Sequence, residues 1–409
     1  MPVRPEPLSR GRIPGLQEAG LLRTLCPGWV TGSPSGGSHH VDFTVEAHVA
    51  IVLSQNIRDQ APKPEMPIPE CDGGGHVGAS IRPPTYLGPR WGGARRPPGG
   101  SKSCVRSLWS RPSHTGGLIS ELKLAMPWGH IAAKAWGSHK SPPVLCLHGW
   151  LDNANSFDRL IPLLPKDFYY VAMDFGGHGL SSHYSPGFPY DHQNFVSEVR
   201  RVAAGGTVGG MFSCIFPEMV DKLVLLESSP FILETNELEN MLTYKRKAIE
   251  HMLQVEASKK PSQVVSPEEM LQGFLKNNSH VGEECGKLLL QRGTTQVATG
   301  LFLNRDRRIT RPEYYFNFIS RELFVHSIRK LQARVLFIKA TQGFYDLRRE
   351  NDANTELVLF VTSSLRSTLK ERFQYVQVPG NHYVHMNQPQ HMAGIISSFL
   401  QSKERIPAH

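Results

Sequence analysis

The sequence predicts an α/β fold, a mostly parallel sheet with helices on both faces, over residues 116–405. Three segments carry this prediction, because each is a short apolar run that leads directly into a turn containing glycine: 143–150, 169–181 and 373–386. Such runs are typical of buried strands. Since α/β proteins place functional groups at the carboxyl ends of parallel strands, the three turns are the first candidates for a functional site.

The remaining elements follow from periodicity. Residues 118–125 and 129–136 alternate between apolar and polar on either side of Pro127 and Trp128, which predicts an antiparallel edge hairpin. Further strands are predicted at 143–147, 168–173, 222–226, 334–339 and 373–378, and helices at 155–164, 191–203 and 389–401. This alternation of strands and helices implies a parallel sheet that is covered on both faces.

The pattern changes between residues 230 and 330, where only helices are predicted. Their ranges are 236–256, 266–276, 283–292 and 313–331. This stretch is too long for a simple connection between two strands. The sequence therefore predicts a helical insertion into the α/β domain.

Residues 1–115 differ from the rest in composition. They contain about half of the 31 prolines, several glycine clusters and scattered arginines, and their one sustained apolar run is 49–53. A stretch of this composition buries too little apolar surface to offset the entropy of ordering it. We therefore expect residues 1–115 to be a mostly disordered tail that contributes nothing to the fold of the domain.

Charge and cysteine usage narrow the function classes. Much of the formal charge of +9 comes from dispersed arginines in the tail, so a nucleic-acid partner is not expected. Six widely spaced cysteines form no C-x-x-C pair, which predicts neither a zinc site nor disulfides and favours a reducing compartment. No apolar run reaches the roughly 18 residues of a membrane span.

The beginning of the sequence shows no secretory signal, because it lacks an apolar core segment. Residues 16–25 are weakly amphipathic and flanked by arginine, which leaves a mitochondrial transit peptide as an alternative that Glu18 disfavours. An intracellular, non-secreted protein is the expectation.

In their order along the chain, the three strand-and-turn segments resemble the α/β-hydrolase family, and serine hydrolase-like proteins in particular. The resemblance covers residues 117–405 and is carried by His148-Gly149-Trp150, by the Asp-Phe-Gly-Gly-His-Gly-Leu-Ser motif at 174–181, and by Gly380, His382, His385 and Pro389. It implies hydrolysis of an ester, thioester or amide bond in a small acyl substrate, without a cofactor or metal. It also implies a helical cap at about 230–330 and a cytoplasmic or peroxisomal location. An ordinary helical excursion is the alternative to a cap.

The resemblance suggests roles for two of these motifs. Acyl transfer needs backbone N–H groups that stabilise the developing oxyanion, and the Trp150 N–H after His148 and Gly149 would be one of them. His382 lies on the loop after the last strand, where a general base could face a nucleophile. A surface histidine is the alternative for His382, and His385 is expected to pack in the first turn of the last helix.

An acidic residue should orient the base. Asp346 follows the strand at 334–339 and is the first candidate. Glu350 and Asp352 lie just beyond it, and Glu227, at the end of the strand at 222–226, is the position that some relatives use.

The nucleophile is the element that the sequence lacks. The segment from Asp174 to residue 222 has about 48 residues and no Gly-x-Ser-x-Gly, whereas the family's helix, strand, turn and helix need roughly 70. About 22 residues, a central strand and its nucleophile turn, are therefore expected to be absent.

Three residues near this junction could be considered as substitutes. Thr207 lies between glycines at the right spacing, but no apolar strand precedes it, and a β-branched residue is disfavoured in a strained turn. Ser213 and Cys214 are expected within the following helix. We therefore predict no nucleophile and no serine-hydrolase activity.

Loss of a central strand should also affect folding. Its two neighbours would lie about 9–10 Å apart or would have to pair anew, and each unpaired buried backbone group costs about 1–3 kcal/mol. Three outcomes are open: a poorly folded product, a folded pseudoenzyme that binds a ligand or partner, and a hydrolase with a substituted nucleophile. The sequence leaves the substrate and the oligomeric state open.

Overall fold

The computed structural model describes residues 48–53, 119–202, 209–231, 233, 238–258, 261–311, 319–343 and 353–402. Its main feature is an eight-stranded sheet. The strands of this sheet are β1 (His48–Leu53), β2 (Ile119–Met126), β3 (Gly129–Trp136), β4 (Pro143–Leu147), β5 (Tyr169–Met173), β6 (Val220–Leu226), β9 (Arg334–Gln342) and β10 (Phe373–Asn381). A separate hairpin consists of β7 (Thr294–Val297) and β8 (Gly300–Leu303).

The order of strands in the main sheet is β10-β9-β6-β1-β4-β5-β3-β2. Strand β10 is parallel to β9, β9 is parallel to β6, and β4 is parallel to β5. The β2–β3 hairpin lies at one edge, antiparallel to β5, as the sequence predicts. Six of the eight strands therefore run in the same direction, and the four antiparallel pairings all involve the hairpin or β1.

Strand β1 is the main departure from the sequence-based expectation. It belongs to the segment that was expected to contribute nothing to the fold, yet it lies between β4 and β6, antiparallel to both. Val49 pairs with Leu147 on one side and with Leu225 on the other. The sheet therefore neither opens nor re-pairs at this point. The physical reason is that buried backbone N–H and C=O groups need partners, and β1 supplies them on both sides.

The helices cover both faces of the sheet. They are α1 (His192–Val202), α2 (Gly209–Ile215), α3 (Leu238–Ala257), α4 (Pro267–Asn277), α5 (Glu283–Gly293), α6 (Arg321–Ile328), α7 (Ala353–Leu369), α8 (Val384–Asn387) and α9 (Gln390–Gln401). Alternate residues of a strand enter opposite cores, since Leu145 and Leu147 pack in one and Val144 and Cys146 in the other. Buried residues of α1, α2 and α7 belong to the first core and those of α9 to the second.

Several elements differ from the predicted ones. The helix expected at 155–164 is replaced by two 3₁₀ turns, Ala154–Phe157 and Ile161–Leu163, because Pro162 and Pro165 cannot supply the N–H groups of a longer helix. Helix α7 was not foreseen, although its buried residues Leu357, Val361, Leu365 and Leu369 recur every four residues, as on one face of a helix. The hairpin β7–β8 lies in the insertion that was expected to be only helical. The β-branched residues Thr294, Thr295 and Val297 favour a strand there.

Within the described residues, the insertion begins after β6 and ends before β9, and it holds α3 to α6. No helix in the described part of the chain is both long and apolar enough to cross a membrane.

Candidate active site

Three loops meet at the carboxyl edge of the sheet. Parallel strands end along the same edge, and β4 ends at Leu147, β6 at Leu226 and β10 at Asn381. The residues that follow are His148, Glu227 and His382, which the sequence singled out. The topology therefore brings the predicted oxyanion loop, one predicted acid and the predicted base to one place.

His382 and Glu227 are in contact. The imidazole Nδ1 of His382 lies 3.3 Å from Oε2 of Glu227, and both side chains are buried. When Nδ1–H donates a hydrogen bond to the carboxylate, Nε2 is the unprotonated ring nitrogen and can accept a proton. This is the geometry of a histidine that a carboxylate orients.

The carboxylate of Glu227 is held from a second side by strand β9. Lys339 Nζ donates to Oε2 of Glu227 over 2.8 Å, and the backbone N–H of Ala340 donates to Oε1. Lys339 is itself buried, at 5% exposure. A buried carboxylate with three donors stays fixed in one orientation, so Glu227 can fix the ring of His382 in turn.

Backbone strain is concentrated at this edge. Among the described residues other than glycine, only Leu151, Glu227 and Lys370 have positive φ, at 69°, 55° and 51°. Glu227 directly follows the end of β6, and Leu151 lies four residues after the end of β4. A left-handed conformation costs about 1–2 kcal/mol for a residue with a side chain and persists only where its surroundings hold it. Gly343 completes this packing, because a Cβ there would overlap the Glu227 carboxylate.

His148 holds its own loop against the second motif. Its Nε2 accepts a hydrogen bond from the backbone N–H of Phe175 over 3.1 Å, and Nδ1 lies 2.6 Å from the Gly149 carbonyl oxygen. Burial lowers the pKa of His148 to about 4, so the ring is neutral at physiological pH. His148 therefore positions the loop, while the Trp150 ring N–H donates to the carbonyl of Ile309 in the insertion over 2.8 Å.

The motif at 174–181 forms a structural turn. Asp174 accepts hydrogen bonds from the backbone N–H groups of Ala154 (2.8 Å) and Leu180 (2.9 Å). It also forms an ion pair with Arg292 of α5, whose Nε lies 2.8 Å from Oδ2. The Asp174 carboxylate is fully buried. This residue therefore joins the two loops and the insertion.

The insertion packs against the loop that carries His382 and against the loop after β4. Asn381 Nδ2 donates to the carbonyl of His280 over 2.9 Å, and Asn153 Nδ2 donates to the carbonyl of Leu289 over 2.9 Å. A small apolar cluster backs these contacts and consists of Val281, Cys285, Leu289, Tyr383 and Met386. These contacts are those of a cap that packs on the loop carrying His382.

Two residues of the site were missed by sequence reasoning. Asp152 is buried and accepts a hydrogen bond from Ser156 Oγ over 3.0 Å. Burial raises the pKa of Asp152 to about 6, and its hydrogen bond with Ser156 and the charge of Arg305 oppose that shift. Asp152 could have been noticed as a carboxylate four residues beyond His148, whereas Arg305, in the insertion, carries no sequence signal.

The other predicted residues are placed as follows. Asp346, Glu350, Asp352 and Thr207 lie outside the described residues. Ser213 lies within α2, as expected, and donates to the carbonyl of Gly209 over 2.8 Å. Cys214 lies in the same helix, and burial raises the pKa of its thiol to about 12.

His385 is buried in the short helix α8. It was expected in the first turn of the last helix, but a new helix, α9, begins only after Pro389. Proline has no N–H to continue the preceding helix, which explains the break. In the part of the chain that the structure describes, no group of three or more His, Cys, Asp or Glu side chains is arranged to hold a metal ion.

Comparison with known proteins places this geometry in a family. Residues 142–202 match the family model described as alpha/beta hydrolase fold. A serine hydrolase-like protein of Mus musculus is 67% identical over 305 residues, covering 71% of this chain and 98% of the relative. Serine hydrolase-like protein 2 of Homo sapiens is 66% identical over 306 residues, covering 71% of this chain and 97% of the relative.

The alignment with the mouse protein includes positions that have no matching residue in this chain. It spans 305 residues, whereas 71% of this 409-residue chain amounts to about 290 residues. About 15 aligned positions of the relative therefore have no counterpart in this chain.

Solved structures share the fold. A hypothetical protein, PA1622 from Pseudomonas aeruginosa PAO1, has a TM-score of 0.56 at 25% identity and covers 69% of this chain and 99% of its own length. A thioesterase domain from the curacin biosynthetic pathway has a TM-score of 0.56 at 20% identity, covering 70% of this chain and 100% of that domain.

Proposed function

Because the chain belongs to the serine hydrolase-like group of the α/β-hydrolase family, we propose that it keeps the base, acid and oxyanion loop of a serine hydrolase without the nucleophile. Its turnover of esters, thioesters or amides is accordingly impaired. The observation that carries this proposal is strand β1, which runs antiparallel in the place where a parallel strand would deliver the nucleophile.

The base and acid in this proposal are His382 and Glu227. Their contact of 3.3 Å, the burial of both side chains and the positive φ of Glu227 support the assignment. Asp346 was the first candidate from the sequence and lies outside the described residues. Glu227 is preferred, because Lys339 and the Ala340 N–H hold its carboxylate beside the ring.

The direction of β1 supports the absence of a nucleophile. In a parallel strand between β4 and β6, the last residue would be followed by a turn beside His382 and the Trp150 N–H. In β1 it is the first residue, His48, that lies opposite Leu226 at this edge, while Leu53 lies at the other edge. No Gly-x-Ser-x-Gly occurs between Asp174 and Lys222. The alignment leaves about 15 positions of the mouse protein unmatched, which is fewer than the about 22 residues expected to be absent.

The described cysteines are poor substitutes for the serine. Burial raises the pKa of the thiols of Cys146, Cys214 and Cys285. A cysteine reacts as the thiolate, so each of these side chains stays protonated and unreactive at neutral pH. Ser213 is buried in α2 with its hydroxyl committed to the Gly209 carbonyl.

The test is covalent labelling of the purified full chain by a serine-directed fluorophosphonate. We expect labelling and esterase turnover at background level, and His382→Ala should leave both unchanged, since the base has no nucleophile to activate. His139→Ala, at an exposed loop position, is the matched control. Labelling that His382→Ala abolishes and His139→Ala does not would reveal a nucleophile elsewhere, with Thr207 the first to mutate.

A second candidate function is ligand binding under the cap. Arg305 is favoured as the anchor, because its buried Nε has no hydrogen-bond partner among the described residues. Burial lowers the pKa of Arg305, and the Asp152 carboxylate opposes that shift. A guanidinium with one buried N–H group that still lacks an acceptor favours a carboxylate or carbonyl oxygen as its ligand.

This candidate predicts a thermal shift that depends on charge. We expect octanoate to raise the melting temperature of the full chain and octanol, with the same chain length, to do so less, because only the carboxylate pairs with Arg305. Arg305→Gln should abolish the difference, whereas Arg307→Gln, at an exposed neighbour, should keep it. Equal shifts from both compounds would exclude this role for Arg305.

A further inference from the structure

Strand β1 is far in sequence from the rest of the described chain. The next described residue after Leu53 is Ile119, so residues 54–118, about 65 in number, connect the strand to the domain. We call the space between the facing edges of Pro143–Leu147 and Val220–Leu226 the strand slot. Because no short turn connects β1 to the next described strand, its pairing with the two walls is what holds it in the slot.

An empty strand slot would be unstable. Its walls are buried, and Leu223, Val224 and Leu225 have no exposed surface. Six residues of β1 pair with β6 and four with β4, with a shift in register between Val52 and Leu53. Without an occupant, the backbone groups on both walls would face an apolar core, where unpaired groups are strongly disfavoured.

The residues that lie opposite β1 indicate which type of strand the strand slot accepts. Ala50 lies opposite Cys146 and Val224, and Ile51 lies opposite Leu145 and Leu223. The occupant from Val49 to Leu53 has no charged residue. Backbone pairing provides affinity in such strand addition, and the apolar walls restrict which side chains enter.

We propose that the strand slot is an acceptor site for an extended apolar strand, and that residues 48–53 of a second copy of this chain fill it in exchange for the chain's own strand. A second copy carries the identical segment and so makes the same ladder. The cost of tethering a segment grows only with the logarithm of its length, and a long tether lowers the effective concentration of the chain's own strand. The connection of about 65 residues therefore allows exchange, and mutual exchange gives a closed dimer.

The first experiment tests whether the strand is held non-covalently. A specific protease site replaces Gly73–Gly75 in the full chain, and the cut protein is passed over a gel-filtration column. We expect the amino-terminal fragment to co-elute with the rest, and an excess of a synthetic peptide of residues 45–56 to displace it. The same peptide with Ile51→Pro should compete about tenfold to a hundredfold less well, because proline removes a ladder N–H from a central strand.

The result that overturns the acceptor site is equally direct. If the fragment elutes alone after cleavage and the remainder melts as the uncut chain does, the strand slot needs no occupant. If the Ile51→Pro peptide displaces the fragment as well as the unmodified peptide, the ladder of β1 does not hold it.

The second experiment tests the second copy. Full chains labelled with a donor or an acceptor fluorophore are mixed over a range of concentrations, and mass is measured by light scattering. We expect mixed dimers that increase with concentration and that the 45–56 peptide dissociates. Ile51→Pro in the full chain should abolish them, whereas Val77→Pro, the same change outside the strand, should not. A chain that stays monomeric and unmixed throughout overturns the exchange between copies.

The proposal can still be tested if Ile51→Pro prevents the full chain from folding. If the Ile51→Pro chain unfolds without cooperativity, adding the unmodified 45–56 peptide should restore a cooperative transition, because it refills the strand slot from outside. Failure of that rescue, together with unaltered melting of the cleaved chain, would contradict the proposal.

Discussion

Insertion of an apolar strand followed by Gly-His-Ser-x-Gly-Gly between Ala204 and Val208 is expected to convert the chain from unlabelled to labelled by a fluorophosphonate. The inserted strand would run parallel between β4 and β6, so its serine would follow the carboxyl end, beside His382. The residue after the serine would supply a second oxyanion N–H in addition to that of Trp150. The chain's own groups would then form a complete acyl-transfer site.

Two variants of the repaired chain identify its base and acid. His382→Ala should abolish labelling, and Glu227→Gln should lower the turnover rate by about 10⁴-fold, the loss seen when the orienting acid of such a site is neutralised. Glu283→Gln changes an exposed carboxylate that pairs with Lys287 and should have no effect. A repaired chain that unfolds cooperatively but never labels would show that the base loop or the oxyanion loop is assigned wrongly.

The repaired chain also provides a test of β1. The new parallel strand would occupy the strand slot, so Ile51→Pro should no longer affect cooperative unfolding. The same substitution should be damaging in the unrepaired chain. Equal effects in both chains would mean that β1 stabilises the fold in another way than by filling the slot.

Replacement of Asp174 by Ala is expected to destabilise the fold by about 3–5 kcal/mol, the usual cost of removing one partner of a buried ion pair. The change leaves the buried guanidinium of Arg292 without its main counter-charge. It also removes the acceptor of the Ala154 and Leu180 N–H groups. The free energy of unfolding, measured with denaturant, gives the loss directly.

Glu121→Gln is the matched control for this prediction. Glu121 pairs with the same arginine over 2.8 Å, but its side chain is 57% exposed. An exposed partner of this kind contributes about 0–1 kcal/mol. Similar losses for the two variants would show that the contact between α5 and the 174–181 turn does not depend on burial of Asp174.

The elements that could be predicted from the sequence are those with local signals. An apolar run that ends at a glycine turn predicted β4, β5 and β10, because a buried strand needs little more than β-forming apolar residues and a turn. The helices of the insertion followed from their period, and the His148 and His382 loops from the motifs beside those strands. The absence of the serine followed from counting residues between two recognised strands.

Long-range contacts were needed for the rest. The run at 49–53 is apolar in the sequence, but no local pattern shows that it lies between Leu147 and Leu225, since pairing partners far apart in sequence leave no periodic trace. The sequence alone could not choose between Asp346 and Glu227 as the acid, because both are carboxylates in loops at strand ends.

The sequence by itself determined the family's sheet and the absence of a Gly-x-Ser-x-Gly motif before Lys222. It also predicted the cap region and His382 as the base, because each of these signals depends on residues that are close together in the chain. Only the tertiary structure decided that Glu227 meets His382, because Lys339 on the adjacent strand holds the carboxylate there. It also decided that residues 48–53 close the sheet. Buried backbone groups require partners wherever along the chain these are found, and that requirement is satisfied in space, not in sequence.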